Sequence, residues 1–376
     1  MVENSSSGLS LFSLLARDWT LEDEVTETVF NHDDTGVLFR SRSGKLALAS
    51  TKDAESPKIR TRMDLETGRT TIRPRENAVS PLRIAEVTAH TDLPATRFGT
   101  QGFAVVDLDG AVQQVTGGGN VVLRLKPDST GVTSLCSSVS GNVLALARQG
   151  RIVLYDTDDM QVQAEIGLDH PVTCQAYSAD AQALAAWGGN TLSVIDVQSP
   201  TAAPQVFECG GNITEISWRK SGSHLSCASA DNSFYVINRT TGTAQRVEDF
   251  PTPVRNTAFS ETGNALVASG AFRLVGWDCS DLPENDLPGT PLTTGKAGFV
   301  AISVIAAHPE RSLVASGYAN GLVTIASIGT SQEMMLHHEN ATEVSSICWS
   351  KTGEHLAIGY TSGKVAIVTF PAQMFK

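Results

Sequence analysis

A chain of 376 residues with a formal net charge of −12 and a pI near 5.1 repels nucleic acid and anionic bilayers and directs attention to protein partners. Hydrophobic residues make up 41%, yet no stretch approaches the ~18 uninterrupted apolar residues of a membrane span. The opening Met1-Val2-Glu3-Asn4-Ser5 lacks the basic start and long apolar run of a secretory signal, so the cytoplasm or another reducing interior is expected.

In chain order, residues 1–24 form an N-terminal segment whose run Leu9-Ser-Leu-Phe-Ser-Leu-Leu15 reads as a strand. Residues 25–92 read as a divergent β-unit: strands over 25–30, 37–42 and 45–50, with turns at Asp34-Thr35-Gly36 and Ser43-Gly44. Residues 63–68 read as a later strand and turn of the same unit, although residues 39–50 also fit its first two strands. A basic strip (Lys58, Arg60, Arg62, Arg69, Arg73, Arg75) interleaved with Asp64, Glu66 and Glu76 reads as a solvated strand face rather than a binding patch.

From Leu93 onward the chain repeats itself. Units begin at Leu93, Val132, Val172, Ile213, Val254, Ile302 and Val344, with spacings of 39, 40, 41, 41, 48 and 42 residues. A period of this length with strand-type alternation means an array of equivalent units rather than one mixed core. Each unit opens with an apolar strand carrying an aromatic residue, as at Phe98, Tyr177, Trp218, Phe259 and Trp349. A Gly-bearing turn and a strand rich in Ala, Ser and Gly follow. Then come a tight turn such as Asp231-Asn232 or Ser362-Gly363, a third apolar strand and a weaker fourth. Cys136, Cys174, Cys227 and Cys348 fall inside these strands without any CxxC and read as small core residues. The sequons at Asn4, Asn212, Asn238 and Asn340 are read as chance.

Four antiparallel strands per unit, with almost no helix signal, describe a propeller blade. The units resemble WD40 repeats: Trp277-Asp278 matches the eponymous dipeptide, and the turn Ala89-His90-Thr91-Asp92 resembles the family's Gly-His turn. The match covers residues 93–376 but is degenerate, because one unit alone keeps Trp-Asp and only Asp109 and Asp231 place an acid in the tight turn. The resemblance implies an all-β fold, a single closed propeller domain over residues 1–376, with seven regular repeats over 93–376. It also implies a non-catalytic role in binding proteins. Counting residues 25–92 gives eight blades, the reading favoured here; in the seven-blade reading residues 82–87 close the ring and 1–80 form an extension. The last unit supplies three strands, so the N-terminal strand is expected to complete it.

The loops before each first strand and the turns after each second strand share one face of such a ring. On that face the alignment places Arg40, Arg42, Asp107, Arg148, Trp187, Asp231, Phe272, Arg273, Tyr318 and Tyr360. Aromatic and arginine residues are the types enriched at binding hot spots, although closing the second strand is an equally simple role for Trp187, Tyr318 and Tyr360. The long unit from Val254 carries an acidic, Pro-stiffened loop with Asp281, Glu284 and Asp286 on the opposite face, suited to a basic partner or simply tolerated there. His337-His338-Glu339 lacks a third metal-ligand pattern, and His90 and His170 read as turn residues. No GxSxG, P-loop or strand-linked GxGxxG occurs, and Gly117-Gly118-Gly119-Asn120 reads as a hairpin rather than a phosphate cradle. No cofactor, metal or catalytic residue is expected. The rival class is an enzyme using the central channel, as in the eight-bladed quinone-dependent dehydrogenases. Those rely on recurrent tryptophans and export, against five tryptophans and no signal here. The expected role is a scaffold or adaptor, a subunit of a larger complex.

Overall fold

The computed structural model describes residues 10–63 and 70–375. Their strands form eight four-stranded antiparallel sheets and one separate two-stranded hairpin. The first strand of each sheet touches the first strand of the next. The circuit runs from Val25–Phe30 through Thr96–Phe98, Ser134–Ser137, Cys174–Tyr177, Ile213–Trp218, Thr257–Ser260 and Ile302–Ala307 to Val344–Trp349, which touches Val25–Phe30 again. The chain is therefore an eight-bladed β-propeller, numbered here from blade 1 (25–88) to blade 8 (344–369).

The small residues of the second strands follow from how closely the blades approach. A Cβ on Gly317 would lie 2.4 Å from Val344 Cγ1 of the next blade, and one on Gly359 would lie 2.5 Å from Val25 Cγ1. No side chain fits at either place. Outside these contacts, apolar clusters span neighbouring blades: Val25, Val37 and Phe39 of blade 1 pack with Ala357, Val365 and Ile367 of blade 8. Full burial of each large side chain contributes roughly 1.5–3 kcal/mol.

Blade 8 is completed by the N-terminus, as expected, but not by the segment expected. Residues Leu11–Leu15 form a short helix capped by Ser10, with Phe12 and Leu15 buried three residues apart on its inner face. The closing strand is Ala16–Thr20, antiparallel to Lys364–Thr369. In blade 1 the order Val25–Phe30, Gly36–Ser41, Lys45–Ser50, Arg83–Thr88 makes residues 83–88 the fourth strand, which removes the seven-blade reading and the shifted register over 39–50. Thr61–Met63 pairs with Thr70–Ile72 in the separate hairpin rather than in the blade, while the expected turn over 64–69 and Arg69 lie outside the described residues. The basic strip is not simply solvated. Buried Arg60 donates to the carbonyls of Glu55 and Leu14, Arg75 pairs with Asp53, and Lys58 pairs with Glu354, leaving Arg62 and Arg73 exposed.

Closure is fixed by buried charge. Arg17 of the closing strand is 5% exposed, donates to the Ser50 carbonyl at 2.7 Å and lies 3.7 Å from Asp53, which also holds Arg75. The two guanidiniums and hydrogen bonds from Arg75 and the Glu55 amide hold the Asp53 carboxyl below its usual range against its burial. Deleting residues 1–20 exposes the edge of Lys364–Thr369 and leaves Asp53 with one cation fewer. The expected outcome is a lowered melting temperature with aggregation; a truncated monomer that melts at the full-length temperature refutes this closure.

Candidate functional site

Arg40 lies on the second strand of blade 1 and is 7% exposed. Its Nη1 donates to the carbonyls of His90 at 3.0 Å, Thr91 at 3.0 Å and Leu93 at 2.7 Å, and its Nε lies 2.9 Å from Glu27. It therefore staples the loop into blade 2 and is not displayed on the face. Arg148, 5% exposed, holds Asp128 at 2.8 Å in the same way. Trp187 is buried and donates its indole N–H to the Cys209 carbonyl at 2.8 Å. Tyr318 is buried with its hydroxyl donating to Glu333 at 3.3 Å, and burial pushes its phenol up to about 12. Tyr360 is fully buried, and its hydroxyl has no hydrogen-bond partner. These five expected contact residues point into the blades, because the gap between adjacent sheets has room for a large side chain at the end of the second strand. Asp107 is half-buried and accepts from the Ala111 N–H at 2.9 Å, whereas Asp231 stands exposed on that face, 2.9 Å from Arg246 and accepting from the Ser233 hydroxyl at 2.8 Å.

Arg42, Phe272 and Arg273 do stand exposed on the expected face, with Arg42 paired to Glu24 at 2.8 Å. Beside Phe272, 45% exposed, the loop before blade 7 presents Phe299 fully to solvent, with Gly298 N–H donating to the Phe272 carbonyl at 2.9 Å. Met335, 65% exposed, faces the same groove of about 410 Å³, whose walls include Val300, Leu322 and Tyr318. The sequence reading missed both: Phe299 lies in a loop without periodicity, where an aromatic inside Gly295-Lys296-Ala297-Gly298-Phe299 was the available signal, and Met335 is an exposed residue of the irregular fourth strand Glu333–His338.

The central channel holds a cavity of about 760 Å³ lined by Thr26, Glu27, Thr214, Glu215, Arg255 and Ser346, among others. Glu27 is engaged by Arg40, and Glu343 lies 3.0 Å from Arg255. Glu215 has no cation beside it and accepts from the Thr257 N–H at 3.1 Å, tying blade 5 to blade 6. Burial raises its carboxyl to about 7 against the pull of that hydrogen bond.

On the opposite face, the loop of the long unit is anchored to blade 5. Glu284 accepts from the Thr243 hydroxyl at 2.6 Å and Asn238 at 3.2 Å, Asp286 N–H donates to Gln245 at 2.8 Å, and Asp281 accepts from Thr290 at 2.7 Å. Asp281 and Asp286 are exposed. His337 stacks on Phe12 with ring centroids 3.7 Å apart and bonds Glu339 at 3.1 Å, and no group of three or more potential metal ligands occurs among the described residues. All six cysteines are free, and burial pushes Cys348 up to about 11 and Cys174 to about 12, away from the reactive thiolate. No helix among the described residues is long and apolar enough to cross a membrane.

No protein-family model matches this chain, and no curated protein matches it in sequence. Among solved structures it is similar to a chain of "Crystal Structure of Mitotic Checkpoint Complex", with a TM-score of 0.58 and 15% identity over 76% of this chain and 89% of that one. At that identity the likeness is one of fold.

Two expectations follow. Trp187→Ala and Tyr318→Ala each destabilise folding by about 3–5 kcal/mol, whereas Tyr360→Phe leaves melting unchanged or raises it, because it removes a buried hydroxyl without a partner. Denaturant titration of the three variants checks both signs. For Glu215 the folded carboxyl, at about 7, lies above its ordinary value of 4.5, so the folded state binds the extra proton between these values. Stability from this group is complete below about pH 4.5 and is lost as pH rises through 7. Comparison of melting over that range with Glu215→Gln should show a flatter profile in the variant; identical profiles refute the assignment.

Proposed function

We propose that the protein is a non-catalytic interaction scaffold, a subunit of a larger complex, acting in the cytoplasm or another reducing interior. Its main partner engages the loop face at Phe272, Phe299 and Met335, with Arg273 and Arg42 beside them. The observation that carries this reading is the fully exposed Phe299. Solvated loop tips rarely hold a large apolar side chain without a use, and clustering with Phe272 and Met335 gives the patch a groove in which an anchoring side chain of a partner is desolvated. Support also comes from the channel, where Glu27, Glu343, Arg40 and Arg255 are occupied with one another. The fold neighbour, moreover, was solved in a complex. The exposed Asp281 and Asp286 beside Glu284 form a second docking element for a basic segment on the opposite face.

Phe299→Ala is expected to weaken partner capture by roughly 1–3 kcal/mol with melting unchanged, since its ring is in solvent. Quantitative pull-down from native lysate, with melting measured on the same preparation, is the check. Unweakened capture by Phe272→Ala/Phe299→Ala moves the interface away from this groove.

A further inference from the structure

On the face opposite the loops, the turns of blades 1, 2 and 3 enclose an open cleft of about 590 Å³. Lys52, Arg83 and Arg124 converge on it from the third strand's end in blade 1, the fourth strand of blade 1 and the fourth strand of blade 2. Among the described residues none of the three has a carboxylate within ion-pair distance, in a chain whose net charge is −12 and whose other cations include many paired ones. The sole acidic residue lining the cleft is the exposed Asp158.

The cations are positioned rather than adrift. Arg124 lies over the Phe98 ring with its guanidinium carbon 5.2 Å from the centroid, and donates its Nε to the Gln114 side-chain oxygen at 2.8 Å. That neutral acceptor orients the guanidinium without neutralising it. Arg83 reaches the turn after the third strand of blade 2: its Nη1 lies 3.5 Å from where a Cβ on Gly118 would stand. Thr100 and Thr116 line the same space, while the Thr35 hydroxyl there already donates to Asp33 at 2.6 Å.

We propose that this cleft binds a phosphorylated side chain of a partner polypeptide. A phosphomonoester carries about −1.5 to −2 charges and three acceptor oxygens, which suits two guanidiniums, an ammonium and neighbouring hydroxyl donors better than a single carboxylate does. A nucleotide is the poorer guest, because the Phe98 ring face that would stack a base is covered by Arg124. A lipid headgroup is disfavoured by the charge of −12, which repels the anionic bilayer presenting it. Gly117-Gly118 thereby becomes part of an anion site formed with residues of other turns, not a phosphate cradle by itself. The site is independent of the Phe299 groove, which lies on the other side of the ring.

The test uses the full-length protein and three probes: a phosphoserine peptide, the same peptide unphosphorylated, and phosphatidylcholine vesicles containing a phosphatidylinositol phosphate. Fluorescence anisotropy should show binding of the phosphopeptide that weakens with added salt and with inorganic phosphate as competitor. The unphosphorylated peptide should bind at least about tenfold more weakly, the loss expected on removing a charge-assisted contact set. Lys52→Glu and Arg83→Glu, both at exposed positions, should each reduce phosphopeptide affinity about tenfold or more by reversing one charge, with melting unchanged. Arg124→Gln serves as a third variant, read only where its melting matches the native chain. Equal binding of both peptides, phosphopeptide binding indifferent to Lys52→Glu and Arg83→Glu, or no binding at low salt overturns the proposal. Co-sedimentation with the vesicles that is lost in Arg83→Glu, in the absence of phosphopeptide binding, overturns it in favour of a lipid headgroup.

Discussion

The pairing of Ala16–Thr20 with Lys364–Thr369 is the contact on which the rest of the ring depends. Seven blades each complete four strands from one continuous stretch of chain, and the eighth cannot. Without the closing strand, the third strand of blade 8 presents a row of unpaired backbone groups, and the contact between Val344–Trp349 and Val25–Phe30 must stand alone. Several bonds converge on this seam. Leu21 N–H donates to the Gly363 carbonyl at 2.8 Å, Asp34 accepts the amides of Lys351 and Thr352 at 2.9 Å, and the Thr28 and Ser346 hydroxyls lie 2.8 Å apart. Contacts of such long sequence separation carry the entropy of closing nearly the whole chain, a cost that these bonds and the closing strand offset together.

Around the ring, polar side chains at the inner strands tie each of several blades to its neighbour. Glu27 accepts from Ala95 N–H, Gln175 donates to the Ala145 carbonyl, Glu215 accepts from Thr257 N–H, and Asn256 accepts from Ile305 N–H. Each reaches across to the neighbouring blade. Their partners are main-chain groups, so the contact survives wide variation in the neighbour's side chains. In blade 4, His170 bonds the Ser193 hydroxyl at 2.8 Å. These ties engage polar groups of the channel wall, among them Glu27 and Glu215, with the backbone of the next blade.

The blade repeat was legible in the sequence because period-two burial and forty-residue spacing are properties of each strand and turn taken singly. Three things were not. Residues 9–15 have a strand-like composition, and only Ser10 capping and the burial of Phe12 against His337 turn Leu11–Leu15 into a helix. The insertion between Lys45–Ser50 and Arg83–Thr88 has no counterpart in the other blades, so its hairpin could not be found by comparing units. The third was side-chain direction. Trp187, Tyr318 and Tyr360 occupy the turn positions expected of them, but whether such a residue faces solvent or the adjacent sheet depends on the neighbouring blade, which a single unit does not encode.

The two candidate sites differ in how their residues are brought together, and this bears on how they would work jointly. The Phe299 groove is built by blade 7 and the loop before it, whereas the cationic cleft gathers turns and strand residues of blades 1, 2 and 3 at 35, 50–52, 83, 98–102, 114–118, 124 and 157–158, each unremarkable by itself. Both draw on outer, half-buried fourth strands, Arg83–Thr88 and Val121–Leu125 for the cleft and Glu333–His338 for the groove, together with the turns beside them. Coupling between sites requires an element with two arrangements that both ligands bias differently. Among the described residues the blades meet through buried first-strand contacts, and no such element is seen between the two proposed sites. Two proposed sites on opposite faces of one ring leave room for two partners at once, and what such partners gain from sharing the ring is proximity to one another.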